Sequence, residues 1–371
     1  MRIALALLIV IHGMIHLFGF LKAFGIAEFN SITQPISKPV GMIWLGAFFL
    51  FAVTLVLFLL QHRLWWAPGI AAVAVSQFLI FAFWQDAKFG TILNLVILAS
   101  AIIAYAGYSF KKGVSEEITQ MAALSESADK TVVSEEMIVH LPAAVQHWLV
   151  QSGAVGKARV HNVYLEQEAE MLLKPEQKNW TLAKARQYFT VEPPAFNWSV
   201  DLKMNGFIDV TGRDKFENGK GEMLIKLLSL IPVADARNNK KIDQATLQRY
   251  LAEIVWFPSA ALSPYISWEK VDDTSARATM EYMGTKGSGV FHFDESGNFK
   301  KFVAMRFKGA EDADPAQWTV IATKTEERNG IKIPTECEAT WEMENGDWTW
   351  LKLRVTHIQY NNQKMPLVKL Q

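Results

Sequence analysis

Charge is spread so unevenly along this chain that a single fold cannot serve all of it. Between Met1 and Phe110 only Arg2, Lys22, Glu28, Lys38, Arg63, Asp86 and Lys88 are charged. The other 32 basic and 35 acidic residues all follow from Lys111 onward. Within the first stretch, Ile3–Lys22, Val40–Leu60, Ala67–Trp84 and Thr91–Phe110 are apolar runs of about 20 residues, the length that crosses a bilayer core of about 30 Å. The first run is long, lacks a small-x-small cleavage pattern and is followed by three more, so it does not read as a signal peptide. Trp44, Trp65, Trp66 and Trp84 lie near run ends, where amphipathic rings favour the interface. The expectation is a four-helix transmembrane domain over 1–110, multi-pass in a bacterial inner (plasma) membrane.

An even number of spans puts both ends on one side. That side carries Arg2, Arg63, Lys111 and Lys112, against Lys22, Lys38 and Lys88 on the other. The asymmetry favours a cytoplasmic soluble domain, with the periplasm as the alternative. The one cysteine, Cys337, rules out an intramolecular disulfide and fits either compartment. Net charge is zero and no basic stripe with interleaved aromatics occurs, which argues against a nucleic-acid partner.

Polar side chains inside the apolar runs need partners. His12 and His16 are four apart and share a helix face with Gly19 and Ala23, a small face suited to close packing. His16 and Asn94 reach similar depth from one side, and His12 and Gln77 lie near the middle. An interior hydrogen-bond network of His12, His16, Gln77 and Asn94 follows as the packing device. A metal site would need further ligands, a haem would need axial ligands on opposite faces, and no carboxylate lies in a run. No metal or other cofactor is expected, and an intramembrane histidine-dependent metal or transport function is kept as an alternative.

Residues 111–139, charged and Ser-rich, read as a linker. "LPAAVQHWLVQSG" then reads as a short amphipathic helix opening a β-rich soluble domain over 140–371. Beyond Ala158 the apolar period changes to two. Asn-Gly pairs at 205–206, 218–219, 329–330 and 345–346, with "DESGN" at 294–298, separate strand-like runs. This predicts an antiparallel meander of nine or ten strands. Two segments break the pattern and are expected to cover the sheet. One is the apolar Met223–Ala236; the other is a helix over Thr246–Pro258, capped by Thr246. The fold class is thus a helical membrane bundle plus an α+β domain, a curved antiparallel sheet with covering helices and a groove fit for a hydrophobic ligand.

Candidate ligand-binding residues are Arg213, Asp214, Tyr250, Glu253, Trp256, Trp268 and Asp272. Arg213 and Asp214 precede a turn, and Glu253 and Trp256 face a groove if their helix crosses it. Arg249 and Glu253 form an i,i+4 pair. "WEKVDDTSARAT" also reads as a tight turn with solvated carboxylates. No nucleophile elbow, phosphate loop, zincin pair or CxxC is present, so no catalytic residue is assigned.

"LPAAVQHWLVQSGAVG", "FTVEPPAFNW", "GRDKFENGKGEMLIKLLSLIPVADA", "RYLAEIVWFPSAAL" and "WEKVDDTSARAT" together resemble an uncharacterised bacterial domain family of unknown function, over about Leu141 to Asn361. "IHGMIHLFGFLKAF" and "FWQDAKFGTILN" resemble the membrane segment fused to some members. The resemblance carries no catalytic residues. Its element order is similar to the lipoprotein-carrier fold, an open half-barrel that takes up acyl chains, and that implies a protein binding membrane lipids or another hydrophobic small molecule. An enzyme using groups near Arg213, Glu253 and Asp272 is the alternative from a different class.

Overall fold

The computed structural model describes residues 2–125 and 131–362, so parts of the expected linker and of the C-terminus, 126–130 and 363–371, lie outside the described residues. The chain divides into two compact units that meet between Gly113 and Val114.

The first unit holds α1 (Arg2–Ala23), α2 (Lys38–Leu59), α3 (Trp66–Ala82), the short α4 (Trp84–Ala87) and most of α5 (Gly90–Leu124). Three helices, α1, α2 and α5, are long and apolar enough to cross a membrane. The expected fourth is shorter: α3 has 17 residues, about 26 Å at 1.5 Å per residue. It stops because Phe83 leaves the helical region at φ −118°, ψ 40°, so Trp84 begins a separate turn. Gly19 lets α1 and α2 approach closely, since a Cβ there would lie 2.2 Å from the Trp44 ring.

The second unit starts in the tail of α5. Val114, Ile118 and Met121 are buried, as are Val133 and Ile138, so much of the expected linker is packed structure. After α6 (Ala143–Gln151) come β1 (Asn162–Met171), β2 (Thr181–Thr190), β3 (Ala195–Met204), β4 (Ile208–Glu217), β5 (Lys220–Leu227) and β6 (Ile231–Ala236). Then α7 (Lys240–Glu253) leads through two 3₁₀ turns into β7 (Ile266–Lys270), β8 (Ser275–Tyr282), β9 (Thr285–Phe293) and β10 (Phe299–Arg306). The chain closes with β11 (Ala316–Arg328), β12 (Ile331–Trp341) and β13 (Trp348–Tyr360). All thirteen strands form one antiparallel sheet, ordered β6-β5-β4-β3-β2-β1-β13-β12-β11-β10-β9-β8-β7.

The sheet has more strands than the turn signals announced, and one covering element is really part of it. Met223–Ala236 is the β5–β6 hairpin, turned by Leu228 and Ser229, both at positive φ. The turns at Asn205-Gly206, Asn218-Gly219 and Asn329-Gly330 do adopt positive φ at both residues, as two-residue hairpin turns require.

A sheet this wide twists and curls, and its inner face must be filled. α7 fills it. Helix α7 starts six residues before the expected Thr246, because Asn239 caps it by accepting from the Lys241 and Ile242 amides. It packs on β4 and β5 near one end of the sheet and on β8, β9 and β10 near the other. Buried Asp243 accepts from the Gly221 amide at 2.9 Å and pairs with Lys220 at 3.0 Å. On the far side Gln244 donates to the Lys286 carbonyl, and Gln248 donates to the Ser288 and Met305 carbonyls. The β4–β5 and β8–β9 turns also touch, Thr285 Oγ1 donating to the Gly219 carbonyl at 2.7 Å. Gly221 is required by this approach, since a Cβ there would lie 2.4 Å from Thr246 Oγ1.

Asp243→Ala removes a buried acceptor and leaves the Gly221 amide bare, so it is expected to destabilise this unit by about 1–3 kcal/mol. Thermal melting followed by the β-sheet circular dichroism signal checks it; an unchanged midpoint contradicts the docking role given to Asp243.

Candidate functional site

The inner face of the sheet can be read from register. Across β1–β5 the sets Gln167–Ala185–Val200–Gly212–Ile225 and Leu165–Gln187–Trp198–Asp214–Met223 are cross-strand neighbours on one face. Across β13–β10, Leu353–Cys337–Ala322 and Trp341–Trp318–Ala304 continue it. Most of these positions are small or apolar. Asp214 on β4 and Arg306 on β10 are charged residues in that inward phase.

Arg249 on α7 comes down onto Asp214. Its Nη1 donates to Asp214 Oδ2 at 2.6 Å, and its Nε donates to Glu253 Oε1 at 2.9 Å. Its guanidinium lies 4.7 Å from the Trp198 ring centroid and 5.1 Å from that of Phe196. Gln187 donates to Glu253 Oε2 at 2.7 Å, Gln167 to Gln187 at 3.4 Å, and the Trp198 indole to Gln167 at 2.9 Å. The bonds thus run from Asp214 through Arg249 and Glu253 to Trp198, which stacks on Arg249. Burial raises the Asp214 and Glu253 carboxyls above their ordinary range, against the pull of Arg249. Burial also pushes the Cys337 thiol up to about 12, with the Glu253 and Glu336 charges adding to it, so the thiol stays protonated.

Arg306 completes the group. Its Nε donates to the Ala245 carbonyl of α7 at 2.9 Å. The guanidinium carbon lies 4.6 Å from the Trp318 ring centroid and 5.5 Å from that of Trp341. Burial, and next the like charge of Arg249, lower its pKa to about 10. Around these groups the inner wall is apolar, and Ile225, Leu227, Val320, Ala322, Met343 and Leu351 are only partly buried.

The proposed ligand residues divide accordingly. Asp214 and Glu253 meet at Arg249. Arg213, one residue from Asp214, points to the opposite face, where it pairs with Glu117 at 2.6 Å and Glu222 at 2.8 Å. Tyr250 is packed in the core with its hydroxyl on the Thr190 carbonyl. Trp256 and Trp268 anchor to the Pro334 and Ala261 carbonyls. Asp272 is exposed and caps a turn by accepting from the Thr274 amide at 2.8 Å. Arg213, Glu253 and Asp272 therefore occupy three separate surroundings.

A wide, open trough of about 2090 Å³ lies elsewhere, bordered by the β1–β2 loop and by residues of β1, β2, β3, β12 and β13. Glu168–Lys184–Asp201 and Glu170–Lys352–Glu338 are register neighbours there, on the face opposite Asp214. On that face signs alternate, and Lys203–Asp209, Lys352–Glu338 and Arg354–Glu168 pair as solvated surface groups, while Ala169, Ala183, Leu202, Cys337 and Leu353 of the inward phase border the trough from the other side.

In the helical unit, His12 Nε2 lies 2.8 Å from Asn94 Oδ1 and 3.1 Å from Ser76 Oγ. Asn94 donates to Ser76 and to Gln77 Oε1, and Gln77 donates to Thr91. Asn94 thus meets His12, not its depth-mate His16, whose Nδ1 lies 2.8 Å from the His12 carbonyl. Since Asn94 Oδ1 only accepts, the His12 proton sits on Nε2, and His16 donates from Nδ1. Among the described residues no group of three potential metal ligands comes together.

A curled antiparallel sheet around one docked helix, with a charged group under that helix, defines the class. The chain belongs to DUF6920, a family of unknown function, which it matches over residues 139–360. No curated protein matches it. Among solved structures it is similar to a LolA superfamily protein from Nitrosomonas europaea, at 9% identity and a TM-score of 0.33, over 59% of this chain and 94% of that one.

The raised Glu253 carboxyl fixes the sign of a pH effect. Its charged form is penalised in the folded state, so that penalty is absent below the unfolded carboxyl pKa. It is complete above the raised folded value. The stability of the native protein relative to Glu253→Gln is therefore expected to improve as pH falls through that window. Denaturant melts of both at several pH values check it; a difference that moves the other way contradicts the assignment.

Proposed function

We propose that this protein is a membrane-anchored binding protein, at a bacterial inner membrane, whose curled sheet takes a largely apolar ligand against its inner face. One observation carries the reading. Asp214, Arg249 and Glu253 sit under α7 among buried aromatic rings, yet their side chains keep 24, 15 and 13% exposure. Ion pairs packed shut would keep none, so solvent reaches them, through what we infer is a cleft. The cleft wall is apolar and the polar groups are few and gathered at one place, the usual make-up of a small-molecule site. The space directly between α7 and the sheet is not part of it, because Leu247, Tyr250, Leu251, Phe189 and Phe216 fill that space.

Anchoring is supported by α1, α2 and α5, and by large apolar side chains that the helical unit leaves exposed, among them Ile3, Ile11, Phe49, Phe78, Phe81 and Ile92. Membrane lipid is then the nearest source of ligand. Catalysis is left out of the proposal, since the groups it would need lie apart.

Protein purified in mild detergent is expected to carry a co-purified amphiphile in native mass spectrometry. Ala322→Trp, which puts a large ring on the cleft wall, is expected to lose it while keeping the native circular dichroism spectrum. A ligand-free native protein, or equal occupancy in the variant, defeats the reading.

A further inference from the structure

Four side chains near the end of β10 and the facing ends of β11 and β13 offer hydrogen-bond donors with little to receive them. Arg306 makes one described hydrogen bond, from Nε to Ala245, and no described ion pair, while both carboxylates of the network are bound to Arg249. Among the described residues, the indole N–H of Trp318, a residue 4% exposed, has no hydrogen-bond partner. The buried indole N–H groups of Trp348 and Trp350 have none either. Trp348 is register-paired with Trp341, whose ring lies under both Arg306 and Lys308. Buried donors are normally satisfied, and Arg306 feels Asp214 and Glu253 only through space, because both are bonded to Arg249, whose like charge opposes it. Both deficits would be met by one group carrying several acceptor oxygens and a negative charge.

We propose that the cleft receives the anionic head of an amphiphile, a carboxylate or phosphate, between Arg306 and the indole N–H groups of Trp318 and Trp348. The proposal rests on the apolar-ligand reading above and adds the polarity and place of the head. Arg306 supplies the charge, its planar fork matching either oxyanion. Trp318 and Trp341 hold the fork by stacking and exclude water from it. Ile225, Leu227, Val320 and Ala322 are left for the chain.

Two matched pairs of probes test this on the full-length protein in nonionic detergent: palmitate against hexadecanol, and lysophosphatidate against monoacylglycerol. The anionic member of at least one pair is expected to bind ten times tighter or more, and which pair shows it identifies the oxyanion. Arg306→Gln and Trp318→Phe are each expected to shrink that preference to threefold or less. Trp318→Phe keeps an aromatic ring under Arg306 while removing the N–H and part of the buried indole, so its melting temperature is expected to fall somewhat with the native circular dichroism spectrum kept. Equal binding of charged and neutral probes, or a preference that survives both substitutions, overturns the head-group site and leaves the apolar cleft standing. If no probe binds the native protein better than it binds Ala322→Trp, the cleft itself is wrong and the head-group site falls with it.

Discussion

The position of α7 inside the curled sheet is the constraint on which the β-rich unit depends. Thirteen antiparallel strands curl, and curling brings strands far apart in the order, β5 and β9, to opposite flanks of one helix. Apolar contacts alone would let that helix slide. Asp243 fixes one flank by holding the Gly221 amide, and Gln244 and Gln248 fix the other by donating to strand carbonyls. Directional bonds on both flanks set where every α7 side chain points, Arg249 and Glu253 included.

That placement explains why charge can exist inside this unit. An isolated arginine among Phe196, Trp198 and Tyr250 would be expelled or disordered. Here its Nε and Nη1 each meet a carboxylate, its faces meet aromatic rings, and the second oxygen of Glu253 is held by Gln187. Such a group adds little net stability compared with well-packed apolar side chains, so its presence points to use. Arg306 shares the interior, drawn by the charges of Asp214 and Glu253 but with no described bond to either.

Much of the fold was legible in the sequence. The charge split marked the boundary between helical and β-rich halves, and Asn-Gly pairs marked hairpins because few other residues tolerate two successive positive φ angles. Misreadings came where local signals compete. Met223–Ala236 is apolar enough for a covering helix, yet Leu228 and Ser229 turn it into an edge hairpin. α3 fell short because nothing local announces the break at Phe83. Of the candidate residues, Asp214 and Glu253 do meet, at Arg249, but Arg213 was grouped with Asp214 by adjacency, although neighbours in a strand face opposite ways. The missing member had a readable signal. In "FVAMRF" the residues Phe302, Ala304 and Arg306 alternate, placing a lone arginine in phase with the core face. The partners Gln167, Gln187 and Trp198 left no such mark, since only strand register brings them together. His12, Gln77 and Asn94 were legible because polar groups in an apolar helix have few places to go, whereas the register that chose Asn94 for His12 was not.

Whether an apolar molecule enters the curled sheet is the deciding question for this protein. A photoactivatable fatty acid, given to the full-length protein reconstituted in lipid and mapped by peptide mass spectrometry, asks this directly. Adducts on the inner-facing residues of β5, β11 and β13, notably Ile225, Leu227, Val320 and Leu351, are the predicted result. Adducts confined to the helices of the first unit would contradict it.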